Sequence, residues 1–227
     1  MRFKDAQISI PETAAQTTDT GRVYHVPGSH SEPVTGWYQY PSITTILGNN
    51  PEKKRALAAW RKRIGEGEAA ARSNRAASRG TAVHSLMEKY VLGEEIERPV
   101  SPVRARAFDG LRRLLDENLT EVYGIECGMY SHLLRAAGRC DLIGNWAGRK
   151  AVIDYKTADH EKDEADILDY FLQTTAYAIM FEERTGIQIP GIVVVIACDS
   201  GIVQTFMKSA SKYYELTIDA IERRRPC

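Results

Sequence analysis

The order of periodic segments along the chain predicts an α/β fold, a central mixed β-sheet flanked by helices, with a helical N-terminal extension. Three observations carry this. A helix-period stretch, residues 103–119, precedes three strand-like runs joined by short connections, which suit antiparallel pairing. A further helical stretch follows them. Then residues 189–198 form an almost unbroken apolar run, the mark of a strand buried on both faces.

Taken in order, residues 1–20 are polar and Thr-rich and read as an irregular arm. Residues 22–26 and 36–40 look like two short strands around a Pro/Gly/Ser loop, residues 27–33, forming a hairpin. Ser42 is placed to cap a short helix containing Ile43, Ile46 and Leu47, which Gly48-Asn49-Asn50 closes. Pro51 suits the first turn of a second helix, through Leu57 and Trp60 to residue 64. A third spans residues 66–92 and stops at Gly93; Gly80 interrupts it at a cost of ~1 kcal/mol relative to alanine. Val83, Leu86, Met87 and Tyr90 form its apolar stripe, with His84 alongside. Residues 103–119 repeat the helical period with Phe108, Leu111, Leu114 and Leu115. Strand candidates follow at 125–133, 139–146 and 150–157, then a helix over 165–185 ended by Gly186. Asp199-Ser200-Gly201 turns the buried run into a partner strand, residues 202–208, and a C-terminal helix ends in Arg223-Arg224-Arg225.

The 227 residues suffice for one α/β domain with an appendage, or for two small domains. No apolar stretch is long enough to span a bilayer. The N-terminus lacks a hydrophobic signal core, and Asp5 and Glu12 make it a poor presequence, so the expected location is cytoplasmic. Cys127, Cys140, Cys198 and Cys227 have no CxxC spacing, which argues against a zinc or iron–sulfur site. Formal net charge is zero, but the distribution is uneven. Residues 51–80 hold nine Lys/Arg against three Glu, an excess of six, whereas residues 159–169 hold six acids against Lys162. A neutral total can therefore conceal a basic stripe fit for nucleic acid.

Asp154-Tyr155-Lys156 closes the β-branched run that starts at Ala151, thirteen residues after Asp141. Asp154 and Lys156, two apart on a strand, share a face. If their strand pairs with the one before it, Asp141 and Asp154 approach closely, and their repulsion calls for a cation. Lys156 is suited to lower the pKa of an attacking water and to stabilise developing charge on phosphorus. A cross-strand salt bridge is the plainer alternative. His84 faces the same way as Glu88, which is spaced to bond its second ring nitrogen. Glu126 is a weaker candidate, read chiefly as a surface carboxylate. Gln173 and Tyr177, at i and i+4, project together toward the lysine and a phosphate. Trp60, Trp37 and Tyr38 are available to stack on bases, though each also suits core packing.

Arg79-Gly80-Thr81-Ala82-Val83-His84, then Glu126, Gly138-Arg139-Cys140-Asp141, Ile153-Asp154-Tyr155-Lys156 and Gln173-Thr174-Thr175-Ala176-Tyr177, resemble the successive motifs of RecB-like nucleases of the PD-(D/E)xK superfamily. Tyr40-Pro41-Ser42-Ile43-Thr44-Thr45-Ile46-Leu47 with the basic helix after it resembles the start of phage exonucleases and of the mitochondrial genome maintenance exonuclease. The resemblance implies a Mg2+- or Mn2+-dependent exonuclease on single-stranded DNA, serving phage replication, recombination or repair in the host cytoplasm. It implies His84, Asp141, Asp154 and the Tyr155 carbonyl as metal ligands, Lys156 and Gln173 with the two aspartates as catalytic residues, and Tyr177, Arg79, Trp60, Arg61 and Arg63 as substrate contacts. Residues 1–75 would then form an arm, hairpin and basic helices covering the active site, and residues 76–227 the nuclease core. Cys140 stands where relatives have proline, and the cluster cysteines of some relatives have no counterpart, so no iron–sulfur cluster is expected. A structure-selective endonuclease and a non-catalytic nucleic-acid binder remain the alternatives; the second gains nothing from carboxylates facing phosphate.

Overall fold

The computed structural model describes residues 2–6, 8, 13–19, 21–28 and 37–225. Most of the loop expected at 27–33, the strand start expected at Gly36, and Glu12 and Cys227 lie outside them. Six strands form the main sheet: β1 (Lys4–Asp5), β5 (Leu119–Ser131), β6 (Ala136–Trp146), β7 (Arg149–Ala158), β8 (Gly191–Cys198) and β9 (Val203–Ser209), in the order β1-β5-β6-β7-β8-β9. β5, β6 and β7 pair antiparallel, as their short connections require, and β8 returns parallel to β7 through a crossover helix. Every residue of β8 is buried, consistent with its apolar run. The mixed sheet with helices on both faces is the architecture the segment order predicts.

The helices are α1 (Ile43–Gly48), α2 (Pro51–Ile64), α3 (Glu66–Leu92), α4 (Pro102–Asn118), α5 (Leu168–Thr185) and α6 (Tyr214–Arg224). On one face, α3 and α4 bury Val83, Met87, Leu111 and Leu115 against Leu142, Ile153 and Val193. On the other, α1, α5 and α6 bury Ile43, Phe171, Phe181 and Ile221 against Ile143, Val152 and Val194. Alternation along β6, β7 and β8 divides the strand residues between these two cores. The caps at Ser42, Gly93 and Gly186 are those the sequence announces, whereas Asn50, expected only to close α1, also opens α2. Ser42 accepts from the Thr45 N–H at 3.0 Å, Asn50 caps α2, and Gly93 and Gly186 end their helices at φ 75° and 71°.

The N-terminal region departs from the expected irregular arm. β1 adds parallel to β5, with Lys4 paired to Glu121 at 2.6 Å. β2 (Ala14–Thr18) pairs with β3 (Gly21–Pro27), which pairs with β4 (Trp37–Pro41) in a separate three-stranded sheet. Both added strands are fully exposed, so they lack the alternating apolar residues that reveal a strand; backbone pairing alone makes them. α3 runs unbroken across position 75, and Ile43, Ile46 and Leu47 of α1 pack in the same core as α5. Gly80 leaves α3 continuous, since it costs helix propensity without removing a hydrogen bond.

Candidate active site

The β6–β7 ladder runs from Trp146↔Arg149 to Leu142↔Ile153 and stops there. The next position holds two aspartates. Instead of a backbone carbonyl, Asp141 Oδ2 accepts the Tyr155 N–H at 2.8 Å, so a side chain completes the seam. Glu126 lies opposite Asp141 in the β5–β6 register, between the pairs Ile125↔Leu142 and Cys127↔Cys140. Three neighbouring strands therefore present Glu126, Asp141 and Asp154 at one level of the sheet.

α3 supplies the imidazole. His84 Nδ1 is 3.2 Å from Asp141 Oδ1 and 3.9 Å from Glu126 Oε1. Donor atoms of His84, Glu126 and Asp141 all lie within 4.8 Å of one another. Glu126 is not the surface carboxylate expected: its side chain is only 18% exposed, and its backbone is held left-handed at φ 44°. Arg139 fixes that turn by donating to the Glu126 carbonyl at 2.9 Å. Glu88 lines the same cleft, and the His84 nitrogen that meets Asp141 is Nδ1, which leaves the second ring nitrogen to other partners.

Asp154 and Lys156 point toward α5, and Tyr155 between them turns its ring to His84, as strand alternation dictates. Asp154 is 1% exposed. Gln173 donates to its Oδ1 at 3.1 Å, and the Lys156 ammonium pairs with Oδ2. Gln173 also reaches the Tyr177 hydroxyl at 3.4 Å. Tyr177, expected to meet substrate, is instead buried to 2% exposure as the floor of the cleft. Gly138 permits this, because a Cβ there would come within 2.7 Å of the Tyr177 ring. The parallel bridge between Ser42 and Ala137 seats α1 beside the same glycine.

The cleft encloses about 580 Å³. Burial and the Asp141 charge push the Glu126 carboxyl up to about 7. Burial raises Asp154 to about 6 against the pull of Lys156. For His84 and Lys156 burial opposes the charged form, but the neighbouring carboxylates outweigh it and raise both above their ordinary values. Such an acidic cluster favours a bound cation. One imidazole and two carboxylates fit Mg2+ or Mn2+ chemistry.

The remaining expected contacts lie apart from this cluster. Arg79 makes a pair of 2.6 Å contacts with Asp199 at the β8–β9 turn. Arg61 and Arg63 are exposed on α2, which buries no residue; Trp60, half-buried, lines a second cavity of about 740 Å³ beside Thr157 and Tyr170. Trp37 is 72% exposed, and Tyr38 packs edge-on to His132. Arg22, Ser42 and Thr44 also line the cleft, and sequence reasoning gave them no role there. Ser42 was legible only as a cap, and an exposed arginine on a short strand carries no signal.

The model of a family described as the PD-(D/E)XK nuclease superfamily matches residues 100–218, a stretch with Glu126, Asp141, Asp154, Lys156 and Gln173 but not His84. No curated protein matches the chain. Among solved structures, it is similar to one described as a "Putative exonuclease" from Eubacterium rectale, with 12% sequence identity and a TM-score of 0.46. That similarity covers 65% of this chain and 65% of the other.

Proposed function

The chain belongs to the PD-(D/E)XK nuclease superfamily, and from that premise we propose a divalent-cation-dependent exonuclease acting on single-stranded DNA. The observation that carries the metal dependence is the convergence of His84, Glu126 and Asp141 within 4.8 Å, beside the Asp154–Lys156 pair. In this reading His84, Glu126 and Asp141 hold the ion, with Asp154 and the Tyr155 carbonyl contributing from β7. When bound, Mg2+ or Mn2+ supplies Lewis-acid polarisation of the phosphate and of water. The protein's own groups do the rest. Lys156 offsets charge developing on the phosphate oxygens, and Gln173 fixes the Asp154 carboxylate so that the lysine keeps its place. Arg139 holds the Glu126 turn, and Tyr177 closes the floor against water.

Two features support an exonuclease over an endonuclease. Residues of β3 and of the α1 start form part of the cleft wall, and α2 places Trp60 at the next cavity, so residues 1–75 contribute a cover to the site of residues 76–227. A strand must then enter by its end. Phage replication, recombination or repair in a host cytoplasm is the setting proposed, and among the described residues no helix is long and apolar enough to cross a membrane. End-labelled linear strands should be degraded with manganese and spared without it. Blunt duplex should resist, and closed single-stranded circles should outlast linear DNA. Rapid cutting of closed circles would instead establish an endonuclease.

A further inference from the structure

α3 carries Arg72, Arg75 and Arg79 at i, i+3 and i+7, hence on one face, and that face borders two cavities in series. The first is the 740 Å³ cavity lined by Trp60 and Tyr170, entered next to Thr157, the residue after Lys156. The second is a groove of about 470 Å³ between α3 and α4 that shares Arg75, Arg79 and Asp199 with it. Asn74, Ser78, Ser101 and Arg104 complete its polar lining among the described residues.

Its charge is unbalanced. Asp199 is the one acid among the lining residues and is occupied by Arg79. Arg104 donates to the Ser78 hydroxyl at 2.9 Å, a neutral partner, and Arg75 has only a 3.4 Å share of Glu68, which Arg72 holds at 2.7 Å. Arginine, hydroxyl and amide donors around a neutralised carboxylate suit phosphate oxygens. The groove is also fixed relative to the catalytic strand. The Asp199 N–H donates to the Ala158 carbonyl at 3.0 Å, two residues beyond Lys156, and Arg106 donates to the Asp199 carbonyl at 3.0 Å.

We propose that the groove between α3 and α4 binds the phosphate backbone of the DNA strand outside the catalytic cleft, with the Trp60–Tyr170 cavity as the passage between them. This rests on the single-strand nuclease reading above and extends it to a path. From Gly80, at the cleft, to Asn74, in the groove, α3 rises about 9 Å, so the groove lies only a few nucleotides from the cleft. The path departs from the basic end of α2: Arg61 and Arg63 are not on it.

The test compares oligodeoxythymidylates of about 2 and about 12 nucleotides: the first fills the cleft without reaching the groove, and the second spans both, within the ~4–16 nucleotide range of single-strand sites. The double variant Arg75→Ala/Arg104→Ala should bind the long probe about tenfold more weakly and raise its KM alike. Its log–log salt slope should become shallower by about 1.4, at ~0.7 for each lost contact. KM for the short probe and kcat for both should stay at wild-type values, and Arg75→Lys/Arg104→Lys should recover most of the slope. Unchanged affinity for the long probe, or an equal loss for both probes, overturns the path. Asp141→Asn, measured alongside, tests the parent reading separately: wild-type cleavage by it would overturn the site, whereas the length comparison of binding would stand or fall on its own. Unfolding temperatures of all variants report whether the fold is intact.

Discussion

The two halves of α3 share one continuous backbone and little else. From Glu66 to Arg79 only Ala69 is buried, and the charged residues are arginine and glutamate. From Gly80 to Leu92 the helix buries Val83, Met87, Tyr90 and Val91 in the core on β6, β7 and β8. His84 stands in the buried half, one turn from the change. A catalytic group needs a backbone that cannot shift, and a strand-guiding surface needs side chains free in water. On the proposed reading one helix serves both by changing environment along its length, and Gly80, whose added Cβ would touch only Thr157 Oγ1 at 3.8 Å, marks the change.

Breaking the comparison is easiest in the buried half. Met87→Ala should cost about 2–5 kcal/mol in denaturant unfolding, the range for a fully buried large-to-small change. Next comes the charge the buried half holds against the sheet. Glu126 and Asp154 keep their protons longer in the folded protein, so metal-free stability should fall as pH rises from 4.5 to about 7 for the first and from 3.8 to about 6 for the second. His84, raised above 6.5, adds stability below that pH which is lost as pH climbs through its folded value. All three act in one direction. The unfolding temperature of chelator-treated protein should drop between pH 5 and pH 8, and manganese should restore it at the upper end far more than at the lower. A flat profile would remove the electrostatic account of the cluster.

His84→Ala should lower manganese affinity more than tenfold and suppress cleavage, with a stability change under about 1 kcal/mol, because the ring is partly exposed. Calorimetric titration of the variant measures the first and thermal unfolding the second. Gly80→Ala should stabilise by about 0.5–1 kcal/mol, since the helix gains propensity and the space is open. At the small end, Arg72→Ala should change stability by under about 0.5 kcal/mol, the scale of an exposed i,i+4 pair.

What the sequence disclosed follows the same division. Segments that bury a face advertise it: the apolar stripes of α3 and α4, the run of β8 and the caps of α1 and α2 place those elements to within a residue or two. β1 and β2 bury nothing and stayed hidden. In the site, Asp141, Asp154 and Lys156 were legible because charge inside an apolar strand needs a reason. The orientation of Glu126 was not, since it depends on a left-handed backbone angle held by Arg139 from the next strand. The partner of Arg79 was hidden for the converse reason. Its position in a motif says nothing of Asp199, which lies 120 residues away and meets it only in the fold.

Asp141 also has a role that belongs to architecture more than chemistry. Its carboxylate takes the Tyr155 N–H that a backbone carbonyl would otherwise accept, so the sheet and the active centre share an atom group. A chain cannot drift away from this aspartate by small steps. Alanine there would orphan a buried amide as well as delete the carboxylate, coupling loss of activity to loss of fold. Asparagine retains an acceptor and separates the two. The innermost part of the centre is thus held in place by folding itself, and divergence in preference or length of substrate is left to the arginines, the aromatic rings and the cover around it.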